Sequence, residues 1–309
     1  MKVGMIGLGD IARKAYLPVV GCRGELDLFI CTRNSARLEE IGCAFRIPRE
    51  HRFLRVQDMV AAGVEAVFVH TATEAHVEIV SYLLERGIHV YVDKPIDSTF
   101  ACSEQIVQLA NRRGLVLMVG FNRRYAPLYR AIYDRGKPDL VIMQKNRVNL
   151  PGSVRSVIFD DFIHVVDTLL FLLGSESCEV QVRHRRSNGQ LSMVVVTLTT
   201  GERTAIGVMN RDSGISEEIL EAMMGHDKFR VADLRETTQY SLGQERTQRI
   251  GDWTSVGVAR GFEAIVDAFL SRVRASRDGR DAGNDSLDLM THRVCEDIVA
   301  QIEAGGTEE

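Results

Sequence analysis

Several features that mark common classes of protein are missing from this sequence of 309 residues. There is no CxxC pair, and the six cysteines are scattered without zinc-site spacing, so neither a disulfide framework nor a metal site is predicted. No apolar run approaches the roughly 20 residues of a membrane-spanning helix. The net charge of −4 provides no basic footprint for nucleic acid or for an anionic membrane. We therefore expect a small-molecule substrate and neither nucleic acid nor a membrane as a partner.

What is present is typical of a folded chain with reduced thiols. Hydrophobic residues make up 45% of the sequence and charged residues 26%, which argues against wholesale disorder. The length suggests two domains of ordinary size. The first predicted strand begins at Lys2 and leaves no room for a signal peptide, so we expect a cytoplasmic protein.

The order of the predicted elements indicates two different domains. Over residues 1–121, short apolar runs alternate with helical patterns, which predicts an α/β Rossmann domain with a doubly wound parallel sheet. Strand-like runs then follow one another with few helices, and Asn188 and Gly189 are a strong hairpin signal. We predict an α+β domain with a large, mostly antiparallel sheet over residues 122–309, which includes a helix over residues 159–174.

A glycine-rich turn follows the first predicted strand directly and opens a helix. Gly7, Gly9 and Ala12 stand in the spacing GxGxxA. In a dinucleotide-binding fold, the first glycine permits the turn, the second admits a pyrophosphate, and the small third residue lets helix and strand pack closely. The helix N-terminus, with Asp10 and Ile11, supplies N–H groups and a positive dipole. The turn predicts NAD(P) binding, and the alternative is that the glycines serve only the turn.

The end of the second predicted strand bears on the choice between NAD(H) and NADP(H). NAD-preferring folds usually carry Asp or Glu there, whereas this sequence has Thr32 followed by Arg33. An arginine with small hydroxyl or amide side chains would bind a 2′-phosphate that a carboxylate would repel. We predict NADP(H) as the favoured cofactor, with Thr32, Arg33, Asn34 and Arg37 around the phosphate. The alternative is that Arg33 stacks on adenine or points to solvent.

Two further strand ends predict polar side chains at the cofactor edge of the sheet. Thr71, Thr73 and His76 follow the fourth apolar strand, and Asp93 and Lys94 follow the fifth in a DKP motif. An X-Pro bond is the usual place for a cis peptide, which would turn Lys94 into the cleft. The alternatives are that Lys94 is a solvated surface charge and that His76 only caps the next helix.

The predicted helix over residues 159–174 is strongly apolar and yet carries charged groups. At about 100° per residue, Asp160, His164 and Asp167 share one face of it. Buried polar groups are costly without partners. Either neighbouring residues satisfy these side chains for structural reasons, or the face lines a cleft in which they act.

The glycine turn, DKP, VGFNRRYAP and this helix together resemble the glucose-fructose oxidoreductase/inositol dehydrogenase (Gfo/Idh/MocA) family, and VGFNRRYAPLY with FDDFIHVVDT resembles its MviM-type branch. The resemblance implies an NAD(P)-dependent oxidoreductase that acts on a hydroxyl/carbonyl pair of a sugar- or polyol-like molecule. It implies His164 as general base, with Lys94 and Asp160 orienting and polarising the reacting hydroxyl. An imidazole and an ammonium suit these tasks chemically. We also place Asn122 among the cofactor-binding residues.

Substrate binding is predicted for five residues, namely Lys94, Asp160, His164, Asp167 and Arg123. The sequence departs from the family pattern at Phe162, where members that act on sugars commonly have glycine, so a bulky ring is expected to reshape the pocket. Cations near this region in the sequence would suit an anionic substrate, and they are Arg123, Arg124, Lys145, Arg147 and Arg155. The alternative for each cation is an exposed charge on a strand or loop.

Two other functions fit the same fold. A non-catalytic NADP-binding sensor or regulatory protein would need the glycine turn but neither Lys94 nor His164. A redox-assisted, glycosidase-type elimination would need both residues and would retain the cofactor without net turnover. The resemblance further implies a homodimer or homotetramer formed through the C-terminal sheet.

Overall fold

The computed structural model describes residues 1–175, 177–280 and 284–305. The chain divides into two compact units, each assembled from two segments of the sequence. Unit 1 comprises Met1–Gly120 and Phe262–Asp285, and unit 2 comprises Phe121–Gly261 and Ser286–Glu309. The break after Gly120 lies beside the predicted domain boundary.

The second segment of unit 1 corrects the predicted domain limits, which assigned all of residues 122–309 to one domain. The helix Phe262–Arg277 belongs to unit 1. Its Phe269 ring packs against the rings of Phe68 and Tyr91, with centroids 5.0 Å and 5.6 Å away. Burial of this aromatic group decides which core the helix joins, and a linear reading of the sequence cannot show it.

Unit 1 contains a six-stranded parallel sheet in the order β3-β2-β1-β4-β5-β6, so the predicted Rossmann-type fold is confirmed. The central strands are continuous apolar runs that are buried on both faces, as expected for a covered parallel sheet. The strands are β1 Lys2–Ile6, β2 Asp27–Cys31, β3 Arg52–Phe53, β4 Ala66–Val69, β5 His89–Val92 and β6 Leu117–Val119. The helices are α1 Leu17–Val20, α2 Ser35–Ala44, α3 Val56–Ala61, α4 His76–Glu85, α5 Phe100–Arg113 and α10 Phe262–Arg277.

Unit 2 contains an eight-stranded sheet in the order β14-β13-β12-β11-β7-β10-β9-β8. Among the described strands of this sheet, only the β7–β10 pair is parallel, which confirms a mostly antiparallel sheet. The predicted hairpin turn is present, since Asn188 and Gly189 join β8 to β9 with φ of 53° and 75°. The strands are β7 Leu140–Asn146, β8 Glu179–Ser187, β9 Gln190–Thr200, β10 Arg203–Asn210, β11 Glu217–Met224, β12 Asp227–Ala232, β13 Glu236–Ser241 and β14 Gln244–Arg249.

One face of this sheet is covered by the apolar helix of unit 2. The predicted single helix is in fact a π-helical segment, Val157–Phe162, followed by α8 Ile163–Leu173, which ends at Gly174 with φ of 58°. In β10, a Cβ at Gly207 would lie 2.9 Å from Val165, so the absent side chain lets helix and sheet approach closely. The other helices of unit 2 are α6 Pro127–Tyr133, α7 Val154–Ser156, α9 Val256–Ala259 and α11 Ser286–Ala304.

In the described parts of the chain, no helix combines the length and the apolar character needed to cross a membrane. Even α8, whose residues from Val165 to Leu173 are all buried, spans only 11 residues.

Candidate cofactor and active-site residues

The two glycines of the turn after β1 have different surroundings. Gly7 has φ of 85°, and a Cβ there would lie 2.6 Å from the carbonyl group of His70 and 2.7 Å from the Thr71 nitrogen. Apart from its chain neighbours, no described residue would have a heavy atom within 4 Å of a Cβ at Gly9. Ala12 is fully buried, so this small side chain packs under the turn. Gly7 is therefore required by the fold, whereas Gly9 leaves open space in front of the backbone.

A polar atom beside this turn lacks a partner. The Thr71 Oγ1 atom is buried and has no hydrogen-bond partner within the described part of the chain. Thr73, two residues later, begins the short 3-10 turn Thr73–Ala75. Orphaned polar atoms are rare in proteins and often mark a ligand position. The open backbone at Gly9 and this hydroxyl fit a dinucleotide, which Gly7, Gly9 and Thr71 would hold.

At the end of β2, Thr32 and Asn34 have local contacts with the backbone, whereas the side chain of Arg33 is exposed. Asn34 is the N-cap of α2, because its Oδ1 accepts a hydrogen bond of 2.9 Å from the Arg37 backbone N–H. Thr32 Oγ1 lies 3.4 Å from the Asn34 nitrogen. Arg33 is exposed, and its guanidinium makes no ion pair or hydrogen bond with any residue that the structure describes. Arg33 is thus the group at this strand end that can take an anion.

Asp10 and Ile11, at the start of the helical segment after the turn, are both exposed. Asp10 accepts a hydrogen bond of 2.8 Å from Lys14, and Arg13 lies 3.7 Å away. The Lys14 hydrogen bond lowers the pKa of Asp10. These cations reduce the repulsion that the carboxylate would exert on a pyrophosphate at the turn.

The DKP motif follows β5, and its Lys94–Pro95 peptide bond is cis, as predicted. The Lys94 backbone N–H donates to Asp93 Oδ1 at 3.0 Å, and Asp93 Oδ2 lies 3.6 Å from His70 Nδ1. Burial opposes ionisation, but the contact with His70 and the charge of Lys94 leave the pKa of Asp93 below its usual value. Asp93 was predicted to bind the cofactor, and the structure instead shows its carboxylate holding the Lys94 backbone.

His76 links the two loops that follow β4 and β5. Its Nδ1 lies 2.8 Å from the Pro95 carbonyl oxygen and its Nε2 lies 3.0 Å from the Thr71 carbonyl oxygen. The side chain is 1% exposed, and both ring nitrogens face backbone carbonyl oxygens. His76 does not cap α4, whose N-cap is Ala75, and its predicted cofactor contact stays a prediction.

The three polar residues of the predicted helix face lie in three different environments. Asp160 is exposed and its Oδ2 accepts a hydrogen bond of 2.8 Å from Ser156 Oγ. His164 is half-buried at the start of α8, and Asp167 is 1% exposed. The face thus runs from solvent into the core, and only Asp160 and His164 retain accessible surface for a substrate.

Asp167 belongs to a buried ion-pair network instead of a substrate site. Arg124 binds both of its carboxylate oxygens, and Thr291 Oγ1 donates to Oδ1 at 3.1 Å. The Arg124 guanidinium also lies 2.9 Å from Asp288. The predicted substrate role of Asp167 is corrected, because these partners surround the carboxylate and solvent does not reach it.

Arg123, which was predicted to bind substrate, is likewise buried in an ion pair. Its guanidinium makes a bidentate pair with Glu218, with distances of 2.8 Å and 2.6 Å, and Tyr129 donates to the same carboxylate at 3.2 Å. Although burial opposes it, the Arg123 charge lowers the pKa of Glu218 to about 2. The alternative of exposed cations is also wrong for this residue, for Arg124 and for Lys145, which are all buried.

Two other residues singled out in the sequence are buried within unit 2. Asn122, predicted to bind the cofactor, is almost inaccessible and donates through Nδ2 to the Arg260 carbonyl at 2.7 Å. Phe162, expected to reshape the pocket, is fully buried, and its ring meets the position of Gly207 in β10. The ring fills the core because β10 carries no side chain at the opposing position.

The sequence interpretation missed the residue next to Asp160. Asp161 is contacted by Lys145 at 2.5 Å, by Arg147 through two bonds of 2.9 Å, and by Arg211 at 2.9 Å. These cations hold the Asp161 pKa well below its usual range, although burial opposes them. The adjacent acidic pair in FDDF was the available signal, but the partners come from strand ends that only the fold brings together.

Comparison with known proteins assigns both parts of the chain. Residues 1–121 match the GFO_IDH_MocA family model, described as an oxidoreductase family with an NAD-binding Rossmann fold, and residues 127–241 match a YceM-like C-terminal domain. The oxidoreductase candidate YceM of Salmonella typhimurium is 32% identical over 302 residues, which is 96% of each chain. Other relatives are named as inositol or UDP-N-acetylglucosamine dehydrogenases.

Solved structures agree with this assignment. A Gfo/Idh/MocA family oxidoreductase from Vibrio cholerae is 30% identical and superposes with a TM-score of 0.92 over 98% of each chain. The dehydrogenase MviM from Clostridium difficile is 29% identical, with a TM-score of 0.87 over 99% of each chain. The family resemblance read from the motifs is confirmed, and the chain belongs to the Gfo/Idh/MocA oxidoreductase family.

Proposed function

We propose that this protein transfers a hydride between a nicotinamide cofactor, NADP(H) in preference to NAD(H), and a hydroxyl/carbonyl carbon of a sugar- or polyol-like molecule. The observation that carries the proposal is the glycine turn of a family member, with Gly7 packed against the end of β4 and Gly9 facing open space. The half-buried His164 and the exposed Asp160 supply polar groups with remaining accessible surface in unit 2.

The proposed chemistry divides between three side chains. Gly7, Gly9 and Thr71 would hold the dinucleotide, whose nicotinamide would supply an acceptor for the hydride that the carbinol carbon loses. The His164 imidazole accepts the hydroxyl proton, so the carbon gains a C=O double bond while the proton and the hydride leave separately. The Lys94 ammonium stabilises the developing alkoxide, and Asp160 accepts a hydrogen bond from a substrate hydroxyl. The reverse reaction uses the same groups, with His164 returning the proton.

The catalytic assignment is tested with His164→Ala. The base is lost, so we expect kcat to fall at least 100-fold while dinucleotide affinity stays within twofold. His226→Ala removes an imidazole from the β11–β12 turn and is the matched control. A screen of polyols and sugars with wild type provides the substrate. Full activity of the His164 variant would refute the assignment.

Net cofactor turnover separates the proposed reaction from the two alternatives. A dehydrogenase converts free NADPH or NADP⁺ in proportion to product, which absorbance at 340 nm measures. A redox-assisted elimination would form product without net change in absorbance, and a sensor would bind the cofactor and form no product. Mass spectrometry of the reaction mixture distinguishes these last two outcomes.

The cofactor preference is supported by Arg33, whose guanidinium is exposed and unpaired in the described structure, and by the absence of an acid at the end of β2. Arg33→Glu should weaken NADPH binding at least tenfold and leave NADH binding within twofold, because only NADPH carries the 2′-phosphate. Arg112→Glu, an equal charge change on α5, is the control. Fluorescence titration measures both affinities, and equal losses would refute the phosphate role.

Self-association through the sheet of unit 2 is also proposed. Branched apolar side chains that alternate with the buried residues remain partly exposed on the sheet face opposite α8, and they include Ile142, Val195, Ile206, Val208 and Ile219. A second copy of the chain, with the same apolar face, would cover them.

Light scattering after size exclusion tests this association. Wild type should elute as a dimer or tetramer, and Ile206→Glu should elute as a smaller species, because a carboxylate at the centre of the apolar face opposes burial. Leu54→Glu places the same charge on an exposed residue of unit 1 and should not change the mass. A monomeric wild type would contradict the proposal.

We also propose that the protein works in the cytoplasm. All six cysteines are free thiols, and two of them, Cys31 and Cys295, are buried. Free thiols persist in reducing compartments. Cell fractionation that found the protein outside the cytoplasm would contradict this location.

A further inference from the structure

A group of charged side chains in unit 2 has more cations than carboxylates. Its members are contributed by the strand ends of β7 and β10, the first residues of β11, the segment before α6 and the π-helical segment before α8. We call it the cation cluster, and it consists of Arg123, Lys145, Arg147, Arg211, Asp161 and Glu218. Neither the catalytic assignment nor the cofactor assignment uses this cluster.

With Lys145 protonated, as it is below pH 7, the net charge of the cation cluster is +2. Four cations face the two carboxylates of Asp161 and Glu218, and both carboxylates are ionised at neutral pH because their pKa values are lowered. The next charged neighbours of Glu218 are Arg260, which acts through its charge, and Asp233, whose Oδ1 accepts the Glu218 N–H. These two cancel, so the excess remains. Uncompensated charge in a mostly buried site is costly, and an anion would relieve the cost.

The excess of positive charge is clearest at Lys145. Its side chain is 4% exposed, and its ammonium makes two contacts, both to Asp161, at 2.5 Å to Oδ1 and 3.3 Å to the carbonyl oxygen. An ammonium has three N–H donors, and the third meets no acceptor among the residues that the structure describes. Burial and then the neighbouring Arg123 charge lower the Lys145 pKa to about 7. A buried donor without an acceptor is a position that an oxygen anion would satisfy.

The cation cluster has an open edge. Arg147 is 27% exposed and Asp161 is 17% exposed, whereas the side chains of Lys145, Arg211 and Arg123 are each less than a tenth exposed. An anion would therefore meet the Arg147 guanidinium first, with the other cations behind it. His164, the second residue of α8, lies three residues after Asp161, so the proposed base is close in sequence to the open edge.

We propose that the cation cluster binds an anionic oxygen group of the substrate, a carboxylate or a phosphate, so that the substrate is a sugar acid or a sugar phosphate. The inference rests on the proposed function and narrows its substrate class. Arg147 is the primary contact, and Lys145 supplies charge and a hydrogen-bond donor behind it.

Calorimetric titration of the full chain without cofactor tests the cluster separately from turnover. The probes are D-gluconate, D-glucose 6-phosphate and uncharged D-glucose at pH 6.5. We expect one of the charged probes to bind at least tenfold more tightly than glucose, and the charged probe that binds identifies the group. Equal affinity for all three probes, or no binding by either charged probe, would overturn the proposal.

Substitutions assign the binding to named residues. Arg147→Met and Lys145→Met should each lose at least tenfold in affinity for the charged probe, and Arg147→Lys and Lys145→Arg should recover part of it. Lys228→Met, which removes a partly exposed cation from β12, is the matched control and should bind like wild type. Circular dichroism of each variant separates loss of binding from loss of folding. Unchanged binding in both methionine variants would refute the assignment.

The pH dependence provides a readout that a purely structural cluster would not show. Gluconate stays fully ionised above pH 6, whereas Lys145 loses its charge as the pH rises through about 7. Arg123 and the two carboxylates that face Lys145 keep their charges over this range. Gluconate affinity in wild type should therefore fall from pH 6 to pH 8.5, and Lys145→Arg should remove this fall. An identical fall in that variant would count against the role of Lys145.

The results also separate the two proposals. Turnover of neutral polyols without anion binding would end the inference and leave the proposed function intact. Anion binding that depends on Arg147 and Lys145 without any cofactor-dependent turnover would support the cation cluster and end the proposed function.

Discussion

The partners of buried polar side chains differ between the two units. In unit 1, polar side chains near the glycine turn mostly face backbone atoms or have no described partner, as with His76 and Thr71. In unit 2, charged side chains are buried against each other, as with Arg124 and Asp167 or Arg123 and Glu218. The difference indicates that unit 1 keeps backbone and hydroxyl groups for a ligand, whereas unit 2 uses most of its charges to build its own core.

Burial separates two aspartates that the sequence placed on one helix face. Asp167 and Asp160 are seven residues apart on one predicted face, yet one is a core ion-pair partner and the other is exposed. Substitution of these residues should therefore act on different quantities, stability for the first and activity for the second.

The largest expected effect comes from breaking the Arg124 network. Arg124→Met leaves the carboxylates of Asp167 and Asp288 buried without their cation, so the free energy of unfolding should fall by about 3–5 kcal/mol. Urea denaturation measures the change. Asp160→Asn alters an exposed carboxylate and should leave the midpoint unchanged. A shift of less than 1 kcal/mol in the Arg124 variant would contradict the contrast between buried and exposed acids.

Acid should weaken unit 2 through Glu218. The folded-state pKa, about 2, lies below the ordinary value of 4.5, so the stabilisation is present above pH 4.5 and is lost as pH falls towards 2. The ionised Glu218 carboxylate contributes about 3 kcal/mol to the free energy of unfolding, since one pKa unit corresponds to about 1.4 kcal/mol. Denaturation at pH 5.5 and pH 3 should show a loss of about 2 kcal/mol, because pH 3 still lies above the folded-state pKa. Glu218→Gln should show a smaller dependence on pH over this interval, and an unchanged dependence would contradict the prediction.

Substitutions in the glycine turn can separate its role in folding, at Gly7, from its role in dinucleotide binding, at Gly9. Gly7→Ala should destabilise the fold by roughly 2 kcal/mol, because the new Cβ would meet the His70 carbonyl at a positive φ. Gly9→Ala should leave the melting temperature unchanged and weaken dinucleotide binding at least tenfold, because its Cβ would enter the open space. Thermal unfolding and fluorescence titration measure the pair. Equal melting temperatures of the two variants would contradict this separation.

The smallest expected effect is local to the end of β2. Asn34→Ala removes the N-cap of α2 and should cost about 1 kcal/mol of stability. Ser35→Ala, at the next position, should cost less, because Ser35 makes no cap hydrogen bond among those described. Thermal unfolding ranks the two variants. If Asn34→Ala also weakened NADPH more than NADH, its amide would contribute to the 2′-phosphate site as first predicted.

Much of unit 1 could be predicted from the sequence because its signals are local. The strands around Met5, Phe68 and Tyr91 are continuous apolar runs, and the glycine spacing follows the first of them directly. The strand β3 Arg52–Phe53 was missed because two residues are too short to show a pattern. In unit 2, β13 and β14 could not be predicted from their sequences, ETTQYS and QERTQR, because these lack apolar alternation.

The sequence by itself determined the Rossmann unit, the large second sheet, the cis-proline motif and the family, because adjacent residues and short spacings encode these features. Only the tertiary structure decided what the charged side chains do. Arg124 and Asp167 are 43 residues apart, and Arg123 and Glu218 are 95 apart. Ion pairs between distant segments form where the sheet and its covering helices bring those segments into contact. A pattern in the linear sequence does not show such contacts.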